Sequence, residues 1–317
     1  MAVIKNLAFC NKNKLKNLKS FRESKLDLSV FYPFPIDFVH SFLPFKLKFL
    51  EESFVAFENK KIGGLVTVAK TGAKKAKITR LLLDENSTEL GKLLVNCVVT
   101  LFLSKGVESF FVIIDKRNFS LLNMFKAGMG FNKFAVETIY KVNAENLPES
   151  ESMGFEHIRK TKISDAKKIV GLINNSMNSY QRAVFSKEFD GFKEGFFTPM
   201  EQFVISDDKK NNFLGCFNIL KLNDSDYLLD FVLLKGYEGY FADIIKFAKI
   251  KLLKRKNFKT LLIRTKSYYS NYNELNDILN IEYKNHYESE ILVKNFFIPK
   301  KQFLYERTVF NDITPAF

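Results

Sequence analysis

The chain has 317 residues, of which 46% are hydrophobic and 15% aromatic, so it is long enough for two domains with ordinary apolar cores. The formal net charge of +14 is spread along the chain without an arginine-rich block, which is typical of solvated lysines and does not predict a nucleic-acid partner. No run of about 20 apolar residues is present, so neither a membrane-spanning helix nor a membrane partner is expected.

The three cysteines are scattered, with the spacing of neither a metal site nor a disulfide framework. The first residues lack the long apolar stretch of a signal peptide. We therefore expect a reducing, cytoplasmic location and no bound metal. Composition leaves the oligomeric state open.

Local patterns predict the elements of the first half. In chain order they are helices at 11–22 and 36–49, a hairpin at 54–58 and 64–69, a third strand at 78–83, a long helix from Ser87 or Thr88 to 104, a buried strand at 110–114, a short helix at 118–127 and a last strand at 131–142. Residues 143–154 are acidic and polar and contain proline, which is typical of a linker.

The same order of elements recurs about 150 residues later. In chain order they are a helix at 166–177, a hairpin at 203–205 and 214–220, a third strand at 227–234, a long helix at 240–254, a buried strand at 261–265, a short helix at 272–279 and a last strand at 288–295. The repeat predicts two domains, 1–145 and 155–317, joined by a linker at 146–154. Whether their two sheets join or merely touch is left open.

This order of elements resembles the GCN5-related N-acetyltransferase (GNAT) superfamily. The clearest local match is the strand FVIID at 111–115, followed by Asn118, a short helix and the pair Gly130-Phe131. The resemblance covers roughly residues 54–142 and, more weakly, 203–295. It implies an α+β or α/β fold of two tandem GNAT-like domains, each with a mixed, mostly antiparallel sheet flanked by helices. It also implies transfer of an acyl group from acetyl-CoA, or another acyl-CoA, to an amine.

The family places a glycine-rich loop between the third strand and the long helix, where backbone N–H groups and the helix dipole bind a pyrophosphate. In the first half only Gly91 fits this pattern, and Asp84, Glu85 and Glu89 put negative charge beside it. We expect these acids to cap the helix, so that the first half is degenerate and does not bind CoA in the family manner.

The second half has the sequence KGYEGY at 235–240, with two glycines and a lysine. These residues favour a cofactor site, although an ordinary tight turn from strand to helix explains them nearly as well. The predicted cofactor-binding residues are Leu233, Leu234, Lys235, Gly236, Tyr237, Gly239 and Tyr240. By the resemblance, a backbone N–H of the splayed third strand would donate to the thioester oxygen.

Catalytic residues are predicted in the second half alone. In the first half, Phe125 stands where the family often has a tyrosine that acts as the general acid, and a phenylalanine has no proton to donate. Asp230 lies in an apolar strand, where burial would raise its pKa and suit it as a general base. The alternative is a carboxylate that faces solvent or an ion pair. Tyr272 opens the short helix and is the predicted general acid, with Tyr268 and Tyr269 as alternatives.

These residues predict an N-acyltransferase that acts on a small-molecule or peptide amine, with its cofactor in the second half. Because both loops depart from the family pattern, the rival hypothesis is an inactive GNAT-fold binding protein. A third hypothesis is a peptidyl transferase that uses aminoacyl-tRNA.

Overall fold

The structure, a computed structural model, describes residues 3–6, 22–25, 52–58, 61–83, 88–148, 155–185, 200–207 and 212–296. The helix predicted at 36–49 lies outside these ranges, as does all of the helix predicted at 11–22 except Arg22, which opens a strand. The linker residues 149–154 and the acidic loop at 84–87 lie outside them as well.

From residue 52 onwards, the described elements of the first half agree in type and order with those predicted. The strands are β1 (Val3–Asn6), β2 (Arg22–Lys25), β3 (Glu52–Glu58), β4 (Lys61–Gly72), β5 (Lys75–Leu83), β6 (Ser109–Asp115) and β7 (Asn132–Asn143). The helices are α1 (Thr88–Ser104) and α2 (Phe119–Asn123), which runs on into a π-helical turn (Met124–Gly128). A short 3₁₀ turn (Ala144–Asn146) follows β7. β1 and β2 were not predicted.

From the hairpin onwards, the second half repeats this order. The strands are β8 (Ile158–Lys160), β9 (Met200–Asp207), β10 (Asn212–Lys221), β11 (Asp226–Leu233), β12 (Thr260–Lys266) and β13 (His286–Asn295). The helices are α3 (Ala166–Asn175), α4 (Ser179–Phe185), α5 (Tyr240–Leu253) and α6 (Tyr272–Glu282), with a 3₁₀ turn (Ile163–Asp165) before α3. β8 and α4 were not predicted.

The two halves share one continuous mixed sheet. Its order is β1-β3-β4-β5-β6-β13-β7-β12-β11-β10-β9-β8, and β2 pairs with β5 off this path. The last strand of each half has crossed over: β13 of the second half pairs with β6 of the first, and β7 of the first pairs with β12 of the second. Both crossings are antiparallel. The two sheets therefore join by exchange of strands.

The hydrophobic cores follow this exchange. The first core lies under α1 and includes Leu94, Val98 and Phe102, but it also contains Leu292 from β13. The second core lies under α5 and α6 and contains Tyr140 of β7. A third cluster, on the other face of the sheet, packs α3 against both halves. The last strand of each half therefore packs in the core of the other. The domain boundaries predicted from the repeat remain a prediction.

None of the described helices is long and apolar enough to cross a membrane.

Candidate functional site

The parallel strands β11 and β12 separate part-way along their length. They pair from Asp226 opposite Thr260 to Asp230 opposite Arg264, and β11 then continues to Leu233 without a partner on β12. Over the same residues β11 stays paired with β10. A gap between two parallel strands, open at their carboxyl ends, is a place where a ligand can meet backbone groups of the sheet.

A backbone donor faces this gap. Antiparallel neighbours exchange hydrogen bonds at every second residue. On β11 the residues bonded to β10 are the even-numbered ones, because the N–H of Leu222 donates to the carbonyl of Asp226 (2.9 Å) and the N–H of Leu234 donates to the carbonyl of Leu214 (2.9 Å). The odd-numbered residues direct their N–H and C=O groups towards β12. The N–H of Leu233 therefore points into the gap.

The carbonyl of Leu233 has a side-chain partner. The Nδ2 of Asn271, a residue that is 1% exposed and directly precedes α6, donates to this oxygen over 3.1 Å. The corresponding Asn118 of the first half has a different task, because its Oδ1 accepts from the N–H of Leu121 and caps α2. Asn271 thus links the open end of β11 to the start of α6.

The loop from Leu234 to Gly239 carries β11 into α5. Gly236 has a φ of +90°, a left-handed conformation that favours glycine. Its N–H donates to Oε1 of Glu238 over 3.0 Å. Gly239 directly precedes the first helical residue, Tyr240, so the positive end of the helix dipole lies at this loop. The loop combines the donors of an anion site with a carboxylate that occupies one of them.

A groove with a volume of about 470 Å³ extends from Glu238 and Gly239 between α5 and α6. Phe241 and Ile278 are among its apolar lining residues, and its charged lining residues are Lys246 and the carboxylates Glu238 and Glu282. The groove is large enough for a small organic ligand.

The equivalent gap of the first half is covered. β5 and β6 pair in parallel only as far as Ile78 opposite Val112. β2 pairs antiparallel with residues 80–83 of β5, the edge that the separation would expose. At the position of the family tyrosine, Phe125 is fully buried and packs edge-on against Phe131 with the ring centroids 5.1 Å apart. That the first half is degenerate stays a prediction.

A second cavity, the central cavity, lies where the two halves meet and has a volume of about 240 Å³. It is on the opposite face of the sheet from α5, since Phe231 contacts Phe241 of α5 and its neighbour Asp230 points the other way. Its lining residues come from both halves and are Thr71, Lys75, Lys77, Phe111, Ile113, Glu137, Met177, Val184, Phe185, Asp230, Arg264, Lys266, Tyr268, Tyr269 and Ile291.

Asp230 is held in this cavity by two cations. Nη2 of Arg264 donates to its Oδ2 over 2.7 Å, and Nζ of Lys266 lies 2.8 Å from its Oδ1. Burial alone would raise the pKa of Asp230, but the charges and hydrogen bonds of Arg264 and Lys266 outweigh it and hold the pKa well below its usual range. The predicted raised pKa was therefore wrong, and the ion-pair alternative is the one found. A carboxylate with a lowered pKa is a weak base.

The three candidate tyrosines are divided between two places. Tyr268 and Tyr269 line the central cavity with Asp230, and burial raises the pKa of both hydroxyls well above the usual value. Tyr272 lines neither cavity and is hydrogen-bonded through its hydroxyl to Oγ1 of Thr138 on β7, over 2.9 Å. Since β7 lies on the far side of β12, the structure does not bring Tyr272 and Asp230 together.

Sequence reasoning missed three residues of this site: Arg264, Lys266 and Asn271. Arg264 and Lys266 are two apart on β12, so they share the face of the sheet that carries Asp230. Two cations in a buried strand were a detectable signal for a partner carboxylate. Asn271 could have been found from the repeat, because it directly precedes α6 just as Asn118 directly precedes α2.

No family model matches the sequence, and no curated protein sequence matches it. Solved structures do match. A tandem GNAT protein from the clavulanic acid biosynthesis pathway superposes with a TM-score of 0.60 at 12% identity, covering 93% of this chain and 98% of that one. The chain has the fold of a tandem GNAT protein. A GCN5-related N-acetyltransferase from Sphaerobacter thermophilus gives a TM-score of 0.54 at 8% identity, with coverages of 82% and 85%. A conserved protein of unknown function from Enterococcus faecalis V583 gives 0.52 at 11%, with coverages of 93% and 72%.

Proposed function

We propose that this tandem GNAT-fold chain transfers an acetyl or other acyl group from acyl-CoA to an amine, and that the cofactor binds in the second half. The observation that carries the proposal is the gap between β11 and β12, which is open and leads to a helix N-terminus. The equivalent gap in the first half is covered by β2. This asymmetry favours one cofactor site over two.

The residues of the second half suit the parts of an acyl-CoA. The backbone of Leu233 and Leu234 would meet the pantetheine arm and the thioester oxygen, the latter through the N–H of Leu233. Lys235, Gly236, Tyr237, Gly239 and Tyr240 would surround the pyrophosphate at the start of α5. The groove beside Lys246 would take the nucleotide end.

Glu238 opposes this fit in its present position, because its carboxylate already accepts from the N–H of Gly236. A pyrophosphate would have to displace it. The Glu238→Gln variant removes this competing charge, so we expect it to bind acetyl-CoA several-fold more tightly than the wild type. Weaker binding by Glu238→Gln would mean that the carboxylate organises the loop.

The amine would enter through the central cavity, on the other side of the gap. Acyl-CoA supplies the thioester, and the chain supplies orientation and backbone hydrogen bonding. Asp230 would fix Arg264 and Lys266 and would not accept the proton of the amine. We assign the hydrogen bond to the departing sulfur to Tyr269, which lines the cavity, and retain Tyr272 as the rival that the sequence predicted.

Calorimetry with acetyl-CoA tests the proposal. The wild type should bind, and Gly239→Glu should not, because the new side chain puts a second carboxylate at the start of α5. The matched control is Gly171→Glu, since an added Cβ at Gly171 of α3, as at Gly239, meets nothing within 4 Å. Loss of binding in both variants, or in neither, would contradict a site at this loop.

An inactive binding protein is the second candidate, and the contact between Glu238 and Gly236 favours it. If neither the wild type nor Glu238→Gln binds acetyl-CoA, this candidate replaces the transferase.

A further inference from the structure

The outer face of α1 carries no charge between residues 93 and 104. Leu93 is 47% exposed and Leu101 is 36% exposed. The exposed residues of this stretch, here named the α1 face, are Leu93, Asn96, Cys97, Thr100, Leu101 and Ser104. The chain has 49 Lys and Arg and 35 Asp and Glu residues, so an exposed helix face of this length is expected to be charged. Exposed leucines without charges are typical of a contact surface.

The matching helix of the second half has a different outer face. α5 carries Asp243, Lys246, Lys249 and Lys251, each of them partly exposed. Both helices cover a core of their own half with their inner side. The lack of charge is therefore a property of α1, not of the position that the two helices share in the fold.

Every fourth residue along α1 belongs to a row that is symmetric about Cys97. Leu93 and Leu101 lie four residues to either side of Cys97, and Glu89 and Lys105 lie eight residues to either side. Residues four apart are neighbours on the surface of a helix. The row is thus apolar about its centre and has opposite charges at its two ends.

A row of this kind is complementary to itself when its direction is reversed. If two α1 helices pack antiparallel about a two-fold axis at Cys97, Leu93 of each copy lies beside Leu101 of the other, and Glu89 beside Lys105. Parallel helices would instead bring like charges together. Rows of residues four apart are inclined to the helix axis, so two helices that align these rows cross at about −50°.

Both end charges also have partners within the chain. Nζ of Lys92 lies 2.6 Å from Oε1 of Glu89, and Nζ of Lys105 lies 3.0 Å from Oε2 of Glu52. Glu89 is nevertheless 85% exposed, and Lys105 is exposed as well, so each can meet a further opposite charge. Exposed ion pairs contribute little free energy. We therefore expect the apolar centre to stabilise the contact and the charges to select its direction.

We infer that the α1 face is the interface of a homodimer in which the two α1 helices pack antiparallel across Cys97. None of the described residues that line the groove or the central cavity belongs to α1, so the dimer leaves both accessible. A contact made by one helix of each copy belongs to the small interfaces, below about 1,200 Å² in total, which are weak. The dimer should therefore dissociate on dilution.

Disulfide formation tests the direction of packing. Leu93→Cys and Leu101→Cys are made as separate variants in a chain with Cys10→Ser and Cys97→Ser, and Cys216 is buried and stays. On mild oxidation an equal mixture should give mostly the mixed disulfide, because positions 93 and 101 face each other. Each variant alone should give several-fold less dimer, because its two thiols would lie about 12 Å apart along the helices.

Mass spectrometry of the linked peptides identifies the disulfides. In the wild type, Cys97 should link to Cys97 of the second copy. A statistical mixture of the three possible disulfides, or an excess of those between like variants, would overturn the inference.

Sedimentation equilibrium measures the association itself. The wild type should change from monomer to dimer as its concentration rises. Leu93→Lys with Leu101→Lys should weaken the association about a hundredfold, because four lysines would meet at the crossing. The matched control is Ile163→Lys with Leu253→Lys, which makes the same change at exposed apolar residues outside α1 and should leave the association unchanged.

Other occupants of the α1 face give different results. A monomer whose Cys97 resists a thiol reagent would show that another segment of the same chain covers the face, and a monomer whose Cys97 reacts fully would show that the face meets solvent. A dimer that survives Leu93→Lys with Leu101→Lys would have its interface elsewhere. Each of these three results would overturn the inference, and none of them bears on the binding of acetyl-CoA.

Discussion

Asp230 shows how one buried carboxylate organises the charges around it. Its partners Arg264 and Lys266 have side chains that are only 10% exposed. Removing one member of such a group leaves the other buried charges uncompensated, which costs more than the pair itself contributes. The residue predicted as a base thus has a structural role in the ion-pair network of the cavity.

We expect Asp230→Asn to lower the free energy of unfolding at pH 7 by about 3–5 kcal/mol. The folded-state pKa of Asp230 lies below the value of about 3.9 for an unfolded aspartate, so its ionised form stabilises the folded state above that value. This contribution is lost as the pH falls below about 3.9 towards the folded-state pKa, so the difference between variant and wild type should stay constant from pH 7 to about pH 4 and shrink below that. Urea unfolding at several pH values measures it.

The control for this prediction is Asp224→Asn. Asp224 forms an ion pair of 2.8 Å with Lys221, but its side chain is 87% exposed, so no measurable change in stability is expected. If Asp230→Asn is as stable as Asp224→Asn, the burial of Arg264 and Lys266 does not require the negative charge of Asp230.

Tyr269 and Tyr272 are the two candidate donors of a hydrogen bond to the departing sulfur. Tyr269→Phe should lower kcat about tenfold, the effect of losing one hydrogen bond to a charged sulfur. Tyr272→Phe should leave kcat near the wild-type value and cost about 1 kcal/mol of stability, because it removes the hydrogen bond to Thr138. Steady-state kinetics with a common acceptor decides the matter. A collapse of kcat in Tyr272→Phe alone would return the role to the residue predicted from the sequence.

At the scale of elements, the two hairpins share a glycine at matching positions. An added Cβ on Gly64 of β4 would lie 3.1 Å from the carbonyl oxygen of Leu82 on β5. One on Gly215 of β10 would lie 2.9 Å from the carbonyl oxygen of Val232 on β11. Each glycine therefore permits close approach to the third strand of its half.

Gly215→Ala should destabilise the chain by about 1–3 kcal/mol, since the backbone of β11 has to move to admit the methyl group. The shift would reach Leu233, which is the paired residue on β11, and should weaken binding of acetyl-CoA as well. Gly171→Ala is the control: it lies in open space inside α3 and should stabilise by about 0.5–1 kcal/mol. Chemical denaturation of both variants tests the pair, and equal stabilities would contradict it.

The elements that periodicity predicted well are those with strong local signals. The long helix after Thr88 has an apolar pattern and a clear end at Gly106. The buried strand at 110–114 is a continuous run of apolar residues. α4 was missed because its seven residues are too short for a helical period to stand out. Yet α4 supplies Val184 and Phe185 to the central cavity, so the missing element concealed part of the candidate site.

At the scale of the whole molecule, the crossed strands couple the two halves. If the second half were absent, β6 and β7 of the first half would lose β13, the strand that pairs with both. If the first half were absent, β12 of the second half would lose its partner β7. Unpaired central strands are prone to aggregation.

We therefore expect the fragments 1–148 and 155–317 to be insoluble or largely unfolded when expressed separately, and to form a soluble complex when expressed together. Gel filtration and circular dichroism of the separate and joint preparations measure this. Two fragments that are each folded and monomeric would show that the halves are independent domains, whose crossed strands add little to stability.

The sequence by itself determined the order of the elements, the repeat and the fold resemblance, because these depend on patterns within about 15 neighbouring residues and on glycine positions. It also located the loop at Lys235 to Tyr240. Tertiary structure alone decided that the sheets join, that β2 covers the first gap and that the partners of Asp230 lie 34 and 36 residues further along the chain. Pairing of distant strands and the pKa of a buried carboxylate depend on contacts in space, which local patterns do not encode.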